Sequence, residues 1–361
     1  LGSSDVAVRG GGGDGRLDVR VDHGHIVSPG QIEIEAHRLT LLAERGSLVA
    51  DVQASATVSP DTGQDRLEAL VVGRDMQALT REAPGAPLRA SRAELHMQSS
   101  RLDLSDHPFS DASLSARIPT VEIPDARLAN VWLPQRGALH VESGIGTMGG
   151  RVDFSNGAAH GGALLGLDRL RVRAGKTDVM GALRVQAVLR AGNLSDGTFD
   201  LGGSRIDLKD VEAGGGDPNW WASINLPSSL VSITRGVAWR SHVEVTARDT
   251  GPLVRLAVAE ASVPSWAGGF LTARDLRAAM DVHVRPGAVD ASNLVLTAGS
   301  LRLDGEWTKR GAKDHILLLV DAPILTVGVE KNDDDVHIQL LGARDWFRQR
   351  AHGAAASGAS R

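Results

Sequence analysis

Cysteine and tyrosine are absent from the 361 residues, aromatic side chains make up 3% of them, and lysine occurs only at positions 176, 209, 309, 313 and 331. Without cysteine there is no disulfide staple, no thiolate metal site and no sulfur nucleophile. So few aromatic rings leave little from which to build the stacking platforms that hold single-stranded nucleic acid or sugars. Charge of one sign is also missing as a block: the formal net charge is −5, and acids and bases are interspersed. Such a balance lacks the basic footprint of a nucleic-acid-binding chain. No run of about 18 apolar residues occurs, and no signal-peptide core is visible. The chain begins at Leu1 in place of Met, which raises the expectation of an excised or processed piece.

Motifs that carry chemistry are equally scarce. There is no G-x-S-x-G elbow, no H-E-x-x-H pair and no Ser-x-x-Lys, and the carboxylates are scattered along polar strand faces, where a paired general acid and base cannot be built. Gly144-Ile145-Gly146-Thr147-Met148-Gly149 matches G-x-G-x-x-G. That motif binds a pyrophosphate only where it opens a helix, and the alternating Arg151-Val152-Asp153-Phe154 next to it reads as a strand. Gly10 to Gly13 lacks the Gly-Lys-Ser/Thr of a phosphate loop and reads as a turn or flexible link. His23 and His25, beside Asp22, would share a strand face, but no third ligand follows from spacing. Asp333-Asp334-Asp335 lacks the ligand pattern of a calcium loop and reads as a polar hairpin tip. The expectation is a non-enzymatic protein with no cofactor and no metal.

What is present, from one end to the other, is alternation. Arg16-Leu17-Asp18-Val19-Arg20-Val21-Asp22, Arg169-Leu170-Arg171-Val172-Arg173, Ser241-His242-Val243-Glu244-Val245-Thr246 and Val336-His337-Ile338-Gln339-Leu340 each put apolar residues on one side and polar ones on the other. A period of two is that of a strand with one wet face. Gly-rich, Ser-Asn-Gly and Ser-Asp-Gly clusters between the runs supply turns, so hairpins in series are expected. At about 12 residues per strand and turn, the chain would make some 30 strands. Helical signals are short: 126–134, 264–280 with Trp266, Phe270 and Leu271 on one side, and 343–350. Residues 351–361 are small and polar, and read as a disordered tail. Trp220 and Trp221 are adjacent, so on a strand they point to opposite faces and at least one is expected to be partly exposed.

A degenerate repeat, apolar-x-x-Gly-x-x-x-apolar-x-Gly-x-apolar, fits Val141-Gly144-Met148-Gly150-Val152, Val172-Gly175-Val179-Gly181-Leu183 and Leu296-Gly299-Leu303-Gly305-Trp307. Phe199-Gly202-Ile206 is a partial copy. It reads as a strand, a glycine turn and a returning strand, with the second glycine marking a bulge or kink. Repeats of this kind stack because no single unit can bury its own apolar face.

Trp132-Leu133-Pro134-Gln135-Arg136-Gly137-Ala138-Leu139, the glycine-bounded strands such as Leu170 to Gly181, Asp217-Pro218-Asn219-Trp220-Trp221-Ala222 and Leu301 to Trp307 together resemble the repeat region of the AsmA-like superfamily, which includes TamB. The resemblance covers roughly residues 126 to 347. It implies an elongated, curved, open antiparallel sheet, a β-groove whose apolar face carries acyl lipid in the bacterial periplasm or cell envelope. It also implies an inner-membrane anchor in a segment outside this chain, phospholipid as partner, and inner- and outer-membrane proteins as further partners. The expected fold is therefore all-β, with an N-terminal strand-repeat region over 1–134, an AsmA-like groove over 135–350 and a tail over 351–361. Val141, Met148, Val152, Val172, Val179, Leu183, Leu296, Leu303 and Trp307 are the expected groove lining. Two other functions fit the same pattern: an assembly factor for outer-membrane proteins that pairs its sheet edge with a client strand, and a structural or adhesive β-solenoid with a closed core.

Overall fold

The computed structural model describes residues 7–22, 25–26, 29–43, 46–61, 64–80, 85–99, 112–131, 139–175, 177–193, 195–215, 217–234, 236–252, 273–311, 313–333 and 335–358. Among these the fold is all-β, as the alternation predicts, with antiparallel hairpins in series. The chain divides into two compact units: Leu1–Val172 with Leu183–Ser195, and Arg173–Ala182 with Asp196–Arg361.

The first unit holds β1 (Ala7–Asp18), the short pair β2 (Val21–Asp22) and β3 (His25–Ile26), then β4 (Gly30–Ala43), β5 (Gly46–Asp61), β6 (Gln64–Thr80), β7 (Leu88–Ser99), β8 (Ser113–Ile123), β9 (Leu139–Ser155) and β10 (Ala158–Ala174). A 3₁₀ turn at Ala126–Val131 comes after β8, as the sequence predicts. β11 (Thr177–Asn193) contributes residues to both units. In the second unit stand β12 (Thr198–Asp200), β13 (Ser204–Ala213), β14 (Trp220–Ser232), β15 (Ala238–Asp249), β16 (Arg274–Arg285), β17 (Ala288–Ala298), β18 (Leu301–Arg310), β19 (Lys313–Ala322), β20 (Leu325–Asn332), β21 (Asp335–Gln339) and the helix α1 (Ala343–Gly358). Strands of up to 17 residues, longer than the expected spacing allows, leave fewer of them than 30 among the described residues.

Several expectations are corrected. Gly10–Gly13 is no turn but part of β1, paired with β4 through two register shifts. Close backbone approach requires glycine at Gly13, where a Cβ would lie 2.1 Å from the Glu35 carbonyl oxygen, and the backbone is tight at Gly11, while Gly12 has open space around it. Residues 274–280 form strand β16, because Leu276, Ala278 and Met280 alternate and pair with Ala247, Val245 and Val243. Residues 264–272, with Trp266, Phe270 and Leu271, lie outside the described residues. The terminal helix is present and runs on to Gly358, through most of the segment that reads as a tail.

The repeat is half right. Gly175 and Gly299 sit in turns at φ +57° and +56°, joining β10 to β11 and β17 to β18 as expected. The copy from Val141 to Val152 instead lies within the single strand β9. The second glycine of a copy does not form a bulge but faces one. Gly150 pairs with Ile118 and Gly305 with Leu294, each at the border of a register shift in the opposite strand. Gly181 lies against Val211, just past the shift in β13. The atoms that exclude a Cβ come from the other neighbouring strand at two of these glycines, Gly162 and Ala163 at Gly150 and Leu317 and Leu318 at Gly305, and from the bulged strand itself, at Lys209 and Val211, at Gly181. The bulges themselves carry Arg38, Asp75, Asp210 and Asn293 at positive φ, two residues opposing one.

Candidate functional site

Hydrogen-bonded register, which no sequence pattern supplies, turns the alternation into continuous rows. In the first unit Gly15, Ile34, Ala54, Val71, Leu95, Ala116 and Val152 stand opposite one another across β1 and β4 to β9. Leu17, Ile32, Ala56, Ala69, Met97, Leu114 and Phe154 form the next row on that face. Every position in both rows is apolar. The opposite face carries Arg16, Glu33, Ser55, Leu70, His96, Ser115 and Asp153 in one row.

The second unit repeats the segregation over eight strands. Ile206, Ile224, Val245, Ala278, Leu296, Leu303, Val320 and Val327 make one apolar row from β13 to β20, and none of the eight is fully buried. One residue further along each strand runs a polar row: Asp207, Ser223, Thr246, Arg277, Thr297, Arg302, Asp321 and Thr326.

One end of each apolar face is closed. In the first unit the 3₁₀ turn lays Ala126 and Leu128 on Ile123, Val141 and Leu167, with Val172 and Leu183 packed at the margin. The turn seats on Gly144, where a Cβ would meet Ala126 at 2.9 Å. In the second unit Trp220 closes the end, buried with Val211, Ala222, Ala247, Leu276 and Ala298. Its indole Nε1 donates to the Asp249 carbonyl at 2.8 Å. Trp220 is 5% exposed and Trp221 46%, so the two do face opposite ways.

The expected lining residues therefore separate into two environments. Met148 pairs with Val121 and is exposed, and Val152 ends the row that begins at Gly15. Leu296 and Leu303 sit side by side in the second unit's row, Leu296 also packing against the closed end as Val179 does, and Trp307 pairs with Ile316 on the same face. Val141, Val172 and Leu183 belong to the closed end of the first unit, and Val179 packs against the closed end of the second. Ile34, Val71, Leu95, Ile224, Val245 and Val320 escape sequence reasoning. Their alternation is visible, but no glycine repeat marks them.

The polar faces are held by short-range pairing. Arg and Asp two apart on one strand share a face, as in Arg151–Asp153, Arg205–Asp207 and Arg302–Asp304, all closer than 3 Å. The Arg151 guanidinium accordingly holds the Asp153 carboxyl below its ordinary range. His242 Nδ1 lies 2.8 Å from Asp281, whose other oxygen accepts from Asn293 at 2.8 Å, and these bonds, Asn293 first, depress the Asp281 pKa. On the apolar side Trp307 Nε1 donates to Asp314 at 2.5 Å and Lys331 lies 3.2 Å from it, which lowers the Asp314 pKa in that order.

No group of three His, Asp or Glu suited to a metal occurs among the described residues. His23 and Asp334 lie outside them, and Asp333 is engaged as a turn cap, accepting from the Asp314 N–H at 2.7 Å. The match at Gly144–Gly149 runs inside strand β9 and opens no helix. No described helix is long and apolar enough to cross a membrane. The chain matches no family model, no curated protein and no solved structure.

Proposed function

We propose that the protein is a non-enzymatic lipid-binding element in which each unit's apolar face holds acyl chains, and that it carries phospholipid within the bacterial envelope, as the resemblance to AsmA-like repeats implies. The observation that carries this reading is the unbroken apolar row that remains open to solvent, with Ile34 and Leu95 exposed in mid-sheet. Soluble monomers rarely leave a wide apolar patch uncovered without using it. At about 4.8 Å per strand, the seven-strand row extends about 29 Å, against about 15 Å for the acyl layer of one leaflet. A chain laid across the strands thus has room, and each methylene removed from water contributes up to about 0.8 kcal/mol.

The test compares two leucines of equal exposure on opposite faces: Leu95, 39% exposed in the apolar row, and Leu70, 37% exposed in the polar row. With a fluorescent fatty acid as probe, Leu95→Asp should weaken uptake at least roughly tenfold, because a charge on the wall repels the chain. Leu70→Asp should leave it unchanged, and both variants should fold. Equal behaviour of the two, or no uptake by the parent, removes the reading.

A further inference from the structure

One end of the second unit gathers aliphatic side chains that no element covers among the described residues. Ala322 pairs with Leu325, so Pro323 and Ile324 form a two-residue turn at the tip of the β19–β20 hairpin. The last pair of β20 with β21 is Gly328 opposite Gln339, and the chain continues from there through Leu340 and Leu341 toward the same tip. Ile324 is 89% exposed and Leu341 86%, with Leu325, Ile338 and Leu340 half or more than half exposed beside them. Single exposed aliphatics are ordinary, but five collected on one turn and its neighbouring strand end are not. The helix after them fixes their direction: Ala343 is buried, α1 turns back across the polar face, Trp346 lies against Gly328, and Arg344 reaches Asp321 at 3.0 Å. Leu341, just before this helix, is left uncovered by it.

We infer that this tip docks on a lipid bilayer, inserting Ile324 and Leu341 among the headgroups. The inference rests on the lipid reading and deepens it by naming the surface from which cargo is exchanged. Three features select a bilayer. The patch is a convex turn, which suits a deformable apolar medium better than a preformed pocket. In its nearest ion pairs the cation faces outward: the guanidiniums of Arg302 and Arg344 are exposed while their carboxylate partners Asp304 and Asp321 are mostly covered, so in these pairs it is the arginine that meets anionic headgroups, with Asp345 the exposed acid beside them. The tip is also continuous with the apolar face, since Ile338 pairs with Val329 and that row runs on through Leu318 and Gly305 to Leu294. An acyl chain leaving the bilayer there meets aliphatic wall at once.

The experiment is flotation of the full chain with vesicles of phosphatidylcholine, alone or doped with phosphatidylglycerol. The parent should float with both, and better with the anionic vesicles at low salt. Ile324→Asp with Leu341→Asp should cut partitioning at least roughly tenfold on either composition. Arg344→Gln should remove only the anionic increment. In vesicle-free solution the double variant should take up the fluorescent fatty acid as the parent does, which separates docking from the apolar face itself. Parental flotation by the double variant, or no flotation of the parent, overturns the inference. So does a double variant that loses fatty-acid uptake together with flotation, or a parent whose tip mediates self-association that the variant abolishes while vesicle binding stays the same.

Discussion

Asn130 satisfies both backbone groups of Val141: its side-chain oxygen accepts from the Val141 N–H, and its Nδ2 donates to the Val141 carbonyl, each at 2.8 Å. The side chain thus takes the place of a neighbouring strand and pins the 3₁₀ turn to β9, with Val141 buried beneath it. Asn130→Ala leaves two polar groups unpaired, at about 1–3 kcal/mol for each that stays dry. The urea midpoint should fall accordingly. Asn130→Asp keeps the acceptor for the Val141 N–H but sets a carboxylate oxygen against the Val141 carbonyl, so at neutral pH it should not recover the loss.

Glycine is required at some strand positions and idle at others, and the two kinds can be told apart by substitution. A Cβ on Gly146 would lie 2.0 Å from the Gly166 carbonyl oxygen, whereas a Cβ on Gly12 meets nothing within 4 Å. Gly146→Ala must force β9 from β10 and should destabilise by about 1–3 kcal/mol or more. Gly12→Ala should be neutral or slightly stabilising, since it removes unfolded-chain entropy. Equal shifts in melting temperature would contradict the close approach.

The alternation at Ser241–Thr246 and Val336–Leu340 makes the all-β fold legible, because period two is a local property of the chain. Register is not local. The glycine turn at Gly299 places Leu296 near Leu303, but nothing in the sequence places Leu296 beside Ala278, or Ile34 beside Ala54, so the continuous rows emerge only with pairing. The glycine repeat misleads for a related reason. Gly144 and Gly175 look alike as text, yet one seats the 3₁₀ turn on a continuous strand and the other turns a hairpin. Val179 fits the repeat as well as Leu303 does, but Trp220, distant in sequence, closes the end against which it packs. Aromatic spacing predicts a helix through residue 280, while Arg274 to Met280 instead joins the strand ladder of β15.

Acid should act on the turn that closes the first unit's apolar face. Asp125 is nearly buried, and its carboxylate accepts from the Arg127 backbone N–H at 2.9 Å, from Nε at 2.7 Å and from Nη2. The Arg127 guanidinium is the main cause that holds its pKa below the ordinary 3.8. A depressed folded-state pKa means that the unfolded chain binds the proton more readily. The associated stability is therefore present above about pH 4 and lost as pH falls through the lower folded value. In Asp125→Asn the acid limb of the stability curve should be shallower than in the parent. An unchanged limb would show that the pair adds nothing to this transition.

The adjacent tryptophans supply the sharpest comparison of the two faces, because they differ in environment and in nothing else. Trp220 fills the closed end of the second unit among Ala222, Ala247, Leu276 and Ala298, and its indole N–H satisfies the Asp249 carbonyl. Three alanines leave the room that the ring occupies, and its larger neighbours Val211 and Leu276 are themselves held on strands of the sheet. Trp220→Ala should accordingly cost about 3–5 kcal/mol. Trp220→Phe keeps most of the volume and gives up the hydrogen bond, so about 1–2 kcal/mol is expected. Trp221, half exposed on the polar face, should change stability by less than about 0.5–1 kcal/mol when replaced by alanine. Acrylamide quenching checks the same assignment optically: Trp221→Phe should remove an accessible emitter and Trp220→Phe a shielded one. If the two alanine variants unfold at the same urea concentration, Trp220 does not close the face.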